Sequence, residues 1–162
     1  MNWQALGAIG ELVGAVAVVV SIIYLAIQIR LNSRLLQSAA QDSISLKYAQ
    51  TMNMSGASPE NAAVFHKGLL DTRSLSPEET THFLLMMANT FIQMDYSHLL
   101  YLEGNISKER WDTLFKSIQH YMSLPGGRFY WKAQGRNIIH GQGSKFFELV
   151  EAEYQKHAGQ DP

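Results

Sequence analysis

Leu12 to Ile29 reads LVGAVAVVVSIIYLAIQI, eighteen residues without a charge, closed by Arg30 and Arg34. At about 1.5 Å per residue, an uncharged helix of this length approaches the ~30 Å hydrocarbon core of a bilayer. The stretch predicts a transmembrane anchor over 1–34, interfacial ends included. A soluble helical bundle is expected over 35–157, and a frayed tail over 158–162. Met1 to Gln4 carry no Lys or Arg, and the basic residues follow the apolar run instead of preceding it. That is the reverse of a secretory signal peptide, so an uncleaved anchor is expected. The positive-inside rule then puts the Arg30 end in the cytoplasm and the N-terminus outside, in a bacterial inner membrane.

Trp3 stands where an interfacial aromatic belongs. From Trp3 to Arg30 a helix covers about 40 Å, a bilayer with its headgroups. Glu11 then falls near the hydrocarbon edge, where an ionisable group is costly and raises the question of a pore. The plainer alternative puts Glu11 at the interface. Gly7, Gly10, Gly14, Ala17 and Ser21 recur in steps of three and four, and Tyr24 and Gln28 extend the row. Such a row lies on one helix face and lets a second helix approach closely. The expected partner is a copy of this chain or a helix of a larger membrane complex, in lipid.

The remainder is polar enough to bring charge near balance, 13 Lys and Arg against 14 Asp and Glu. This excludes the basic excess of a nucleic-acid protein. With no cysteine, disulfides, thiolate metal sites and cysteine nucleophiles are excluded.

No Pro or Gly interrupts Ala15 to Ser55, so the span is expected to continue as one helix to Gly56. Ser58-Pro59-Glu60 and Ser76-Pro77-Glu78-Glu79 are N-caps with Pro at the first helical position, the second completing a capping box. The helix from Pro77 should run to Glu103 and stop at Gly104. Phe83, Leu84, Met86, Met87, Phe91, Ile92, Leu99 and Leu102 surround most of it, predicting the most buried helix of the bundle. Ser107 caps a further helix that Pro125-Gly126-Gly127 ends. A short helix is expected from Arg128 to Ala133, then a final amphipathic one from Ser144 to about His157. Few runs alternate with period two. The fold class is all-α: an N-terminal transmembrane helix leading into a bundle of four to five helices.

The order of these features resembles a widespread group of small bacterial proteins without an established activity. The likeness rests on the opening ALGAIGELVGAVAVVVSIIYLAIQIRLNSR with its Gln28-Ile29-Arg30-Leu31-Asn32-Ser33-Arg34 string. It rests also on SPENAAVFHKGL (58–69), LSPEE (75–79), WDTLFKSI (111–118) and, most specifically, PGGRFYW (125–131). Leu85, Met86 and Asn89 stand where relatives often carry Arg, and the NIIHGQGSK loop diverges. The resemblance implies one N-terminal span and a helical soluble domain, and no catalytic residue.

Chemistry-bearing motifs are sparse. Glu79-xx-His82 and Asp95-xx-His98 each resemble half of a di-iron site. They lie on one helix about 24 Å apart, so no metal is expected between them. Asp95 within an apolar sequence needs a partner, with His98 or Arg128 the natural choices. Histidines 66, 82, 98, 120, 140 and 157 lack zinc-ligand spacing. Gly141-Gln142-Gly143 is too short to cradle a phosphate, and there is no nucleophile elbow or Walker loop. No cofactor, metal or catalytic set is expected. Arg128, Lys132 and Arg136 lie four apart. With Arg30 and Arg34 they are weighed as contacts to anionic headgroups, against packing of the interleaved aromatics into the bundle. These features point to a membrane-anchored assembly or interaction module, self-associating or an accessory subunit. The alternative is a homo-oligomeric ion channel lined by Glu11, and a membrane-tethered enzyme comes last.

Overall fold

A computed structural model describes residues 2–139 and 144–159, the side chains of Ala5 and Leu6 excepted. The chain is 89% helical, with no strand among the described residues. It divides into two compact units, residues 1–39 and 40–162. The division falls five residues beyond the boundary expected from charge, inside an uninterrupted helix, α1 (Trp3–Gly56).

The first unit is helix alone. Leu12 to Ile29 places eleven Leu, Val and Ile side chains at 51% to 67% exposure, so their apolar surface meets nothing in the chain. Gly7–Gly56 contains the one stretch among the described residues long and apolar enough to cross a membrane, with none of its apolar window buried.

The second unit is built from the end of α1 and five further helices. These are α2 (Pro59–Leu70), α3 (Pro77–Leu102), α4 (Lys108–Ser123), α5 (Pro125–Tyr130) and α6 (Lys145–His157). Serine starts four of them: the hydroxyls of Ser58, Ser76, Ser107 and Ser144 accept from the backbone N–H three residues on. Each satisfies a first-turn donor that has no helical acceptor. At Ser76 the box is complete, with the Glu79 carboxylate accepting from the Ser76 N–H at 2.7 Å. At the far end of α3, Gly104 takes φ +75°, Gly104 N–H donates to Tyr101 and Asn105 N–H to Leu100. This is a Schellman stop, which glycine makes without steric cost.

The core is aromatic. Phe91 on α3 has Tyr130 at 5.0 Å, Trp131 at 6.1 Å and Tyr121 at 6.2 Å between ring centroids. Phe83, Met87, Ile118, Met122, Tyr130, Trp131 and Val150 have no exposed surface. After α5 the chain widens into a π-helical turn, Trp131–Gly135, before a last short turn Arg136–Ile138. The helix expected from Arg128 therefore starts three residues earlier. Pro125 serves as its first helical residue, where a missing N–H costs nothing.

Two expectations are corrected. First, α3 carries more buried residues than any other helix, as expected, but its cover is one-sided: Ile92, Leu99 and Leu102 are 48–50% exposed and Leu85 61%. Its apolar residues exceed the surface its neighbours cover. Second, PGGR is not a loop that merely ends α4. A Cβ on Gly126 would lie 2.1 Å from the Gly68 carbonyl oxygen, and one on Gly127 would lie 2.0 Å from that of Tyr121. The two glycines let α5 sit backbone-to-backbone against α2 and the end of α4.

Candidate functional site

On α1, Gly7, Gly10 and Gly14 are exposed, and a Cβ at any of them meets nothing within 4 Å. Polar groups along the same row bond within the helix. Ser21 Oγ donates to the Ala17 carbonyl at 2.8 Å, and Gln28 Nε2 donates to Tyr24 Oη at 3.0 Å. A row of small residues suits close helix contact in lipid. Glu11 is exposed beside this row. At about 100° per residue it projects roughly 80° from the row's midline. Arg30 and Arg34 are both exposed, the first directly after the apolar run and the second about one turn further on.

Arg128, Lys132 and Arg136 do not share a solvated face, and this expectation is corrected. Arg128 is 2% exposed, and its Nη1 donates to the Met122 carbonyl at 3.0 Å. It ties the end of α4 to α5 and cannot reach a headgroup. Arg136 is held by Glu151 on α6 through Nε at 3.0 Å and Nη2 at 2.6 Å, with its guanidinium 4.7 Å from the Tyr154 ring centroid. Lys132 is exposed and lines a hollow of about 440 Å³ with Leu70, Arg73 and Phe129. The π-turn breaks the four-residue periodicity that would have aligned the three.

Glu151 also accepts from Trp131 Nε1 at 2.8 Å and Gln155 Nε2 at 2.7 Å. The Arg136 bonds foremost hold its carboxyl at about 2, far below the usual range. The stabilisation this implies is complete above about pH 4.5 and is lost as pH falls toward 2. Glu151→Gln is expected to cost about 2 kcal/mol at pH 7, a partly exposed ion pair with several donors left short. Urea midpoints of variant and parent should converge between pH 4.5 and 2; a constant gap across that window would contradict the assignment.

Glu79 is occupied as a cap and by Lys67 Nζ at 3.0 Å. Among the described residues no group of three His, Asp or Glu side chains converges as a metal site would require. Gly141-Gln142-Gly143 and His140 lie outside the described residues.

Asp95 and His98, one turn apart on α3, both line a groove that sequence reading did not anticipate. It measures about 640 Å³ and is lined on α3 by Ile92, Asp95, Tyr96, His98, Leu99 and Leu102. Lys47 from the end of α1 and Ser144, Lys145 and Phe146 at the start of α6 complete it. Lys47 Nζ sits 3.8 Å from the Tyr96 ring centroid. His98 is 5% exposed, packed at 4.7 Å on Trp111 and 5.8 Å on Phe146. Burial pushes its pKa below the ordinary histidine value; the Asp95 charge opposes this and Lys145 adds to it. The exposed row Ile92, Tyr96, Leu99 at steps of four and three was the available signal. It merged into the general apolarity of α3.

Comparison with protein-family models, with curated proteins and with solved structures gives no match.

Proposed function

We propose that this chain is a single-pass, membrane-anchored assembly module: α1 holds it in a bacterial inner membrane and recruits a second helix, and the helical unit faces the cytoplasm. The observation that carries this is the first 39 residues, a helix whose apolar side chains find no cover in their own chain. An exposed apolar surface of that extent calls for lipid or a partner. Arg30 and Arg34 support the orientation. The glycine row supports self-association or an accessory role in a larger complex, and the likeness to small bacterial membrane proteins agrees with it.

A Glu11-lined channel has less support. A bundle closing on the glycine row would leave Glu11 on its flank, away from the axis. A closed ring with Glu11 inward would have to pack on another face.

The test is association in a bilayer. Fluorescence transfer between labelled copies in phosphatidylcholine vesicles is expected for the parent chain. Gly10→Leu with Gly14→Leu should weaken it at least about tenfold by separating the helix axes. Val19→Leu, on the other side of the helix, should leave it unchanged. Absence of transfer in the parent, or transfer indifferent to both leucines, would end the self-association reading.

A further inference from the structure

We propose that the exposed face of α3 is a contact between two copies of this chain, packed antiparallel about a two-fold axis at Ile92. The proposal rests on the assembly reading above and deepens it, adding a second self-contact outside the apolar stretch of α1. Every residue it uses belongs to the 40–162 unit.

Leu85, Asn89, Ile92, Tyr96 and Leu99 follow one another along α3 in steps of four and three, and Leu102 extends the row. That alternation keeps side chains on one helix face, as in the seam of a coiled coil. The polar member does not interrupt the apolar surface. Asn89 Nδ2 turns toward α1, donating to Thr51 Oγ1 at 3.1 Å with Met54 Sδ at 3.5 Å. Met54, itself about half exposed, therefore stands at the edge of the row. Exposed apolar residues are ordinary when scattered singly, and a contiguous row of them marks a contact.

The area fits a dimer. Leu85, Ile92, Tyr96, Leu99, Leu102 and Met54 are 38% to 61% exposed, which leaves on the order of 500 Å² of apolar surface among them. Protein interfaces are about 56–65% apolar, so this amount corresponds to roughly 800 Å² of total surface. About 800 Å² is what each partner contributes to a stable interface of standard size.

Spacing and charge select a second copy as the occupant. Leu85, Ile92 and Leu99 stand seven residues apart, about 10 Å of helix, with Ile92 in the middle. A two-fold axis there sets Ile92 against its own counterpart and Leu85 against Leu99 of the second copy. This is the self-complementarity that an isologous contact requires. The charges on the face cancel, Lys47 and Lys145 against Asp95 in the groove and Glu103 at the end of the row. Two copies then meet without net repulsion. A face made for anionic lipid would carry a cationic excess instead.

The chain has no cysteine, so an introduced thiol is unique. The experiment uses the full chain in phosphatidylcholine vesicles, carrying Gly10→Leu and Gly14→Leu so that the glycine row does not hold copies together, with copper phenanthroline as oxidant. Ile92→Cys should give mostly disulfide-linked dimer. Lys116→Cys, exposed on α4, should stay monomeric. In a mixture, Leu85→Cys and Leu99→Cys chains should link to each other at least about tenfold more than to their own kind, because the two positions lie about 21 Å apart along the helix. Adding Ile92→Glu, which sets two carboxylates together on the axis, should cut that link at least about tenfold while the thermal midpoint matches the parent. Equal linking of Ile92→Cys and Lys116→Cys would overturn the proposal. So would Leu85→Cys and Leu99→Cys chains each linking only to their own kind, or a link indifferent to Ile92→Glu. Capture of a different protein by Ile92→Cys in native membranes, with no dimer, would overturn it too. Links formed only with Gly10 and Gly14 intact would do the same, since α1 alone would then hold the copies. Links that survive both leucines support the α3 contact whatever becomes of the glycine row, so the two readings fail separately.

Discussion

Gly126→Ala is expected to lower the stability of the 40–162 unit by about 3 kcal/mol or more, one of the largest losses available to a single methyl group. The added Cβ would stand 2.1 Å from the Gly68 oxygen and 2.7 Å from the Leu69 Cα, both backbone atoms of α2. No rotamer change relieves a clash between two backbones. Moving α5 away is blocked on the α4 side, where Gly127 already leaves no room for a Cβ beside the Tyr121 carbonyl. Gly68 itself faces the Phe83 ring, 2.3 Å from where its own Cβ would be. The helices would have to separate, uncovering Phe83, Phe91 and Tyr130, each without exposed surface now. A loss of that size is a large part of the ~5–15 kcal/mol a domain has. Urea denaturation followed by Trp fluorescence measures it. Gly56→Ala is the control, with nothing within 4 Å of the new methyl, and should stay within about 0.5 kcal/mol of the parent. A Gly126→Ala midpoint equal to the control's would mean that α2 and α5 do not approach as described.

The same glycines show where the sequence could be read and where it could not. Ser58-Pro59 and Ser76-Pro77-Glu78-Glu79 act through bonds to residues two to four positions away, so their spelling alone locates the starts of α2 and α3. Gly104 is similar: its role is a local φ, and it stops α3 as its position suggests. Gly126 and Gly127 look the same on the page, yet their role is the absence of a side chain toward residues 58 and 6 positions back. Only the tertiary arrangement shows what approaches them, and reading them as a loop was the local default. Arg128 fails in the same way. Charge suggested solvent, while the backbone it caps sits in the core. On α3, helical periodicity found the apolar residues and not the number of neighbours available to cover them. The groove at His98 is the uncovered remainder, and two of its lining residues, Lys47 and Lys145, come from 51 and 47 residues away in the chain.

Val19→Arg should move the chain's partition between membrane and water by about 3 kcal/mol. The eleven Leu, Val and Ile residues between Leu12 and Ile29 contribute roughly −0.3 to −0.6 kcal/mol each on an insertion scale, about −3 to −7 kcal/mol in sum. An arginine near the middle of that stretch costs about 2.5–3.5 kcal/mol and forfeits the valine. One substitution therefore removes roughly half of the drive, and Val16→Arg with Val19→Arg should remove nearly all of it. Snorkelling would have to cover about 10 Å of helix toward Leu12 or about 16 Å toward Arg30, so it relieves only part of this cost. The 40–162 unit keeps its own core, so the double variant should stay helical while losing the bilayer. Carbonate extraction of expressing membranes reads the outcome directly: parent chain in the pellet, double variant in the supernatant or degraded. Leu35→Arg with Leu36→Arg is the matched control, adding the same charge where both leucines are exposed beyond Arg34. It should leave the chain in the pellet. If the two pairs behaved alike, the stretch from Leu12 to Ile29 would not be what the membrane holds, and the covering of its apolar surface would have to come from a protein partner instead.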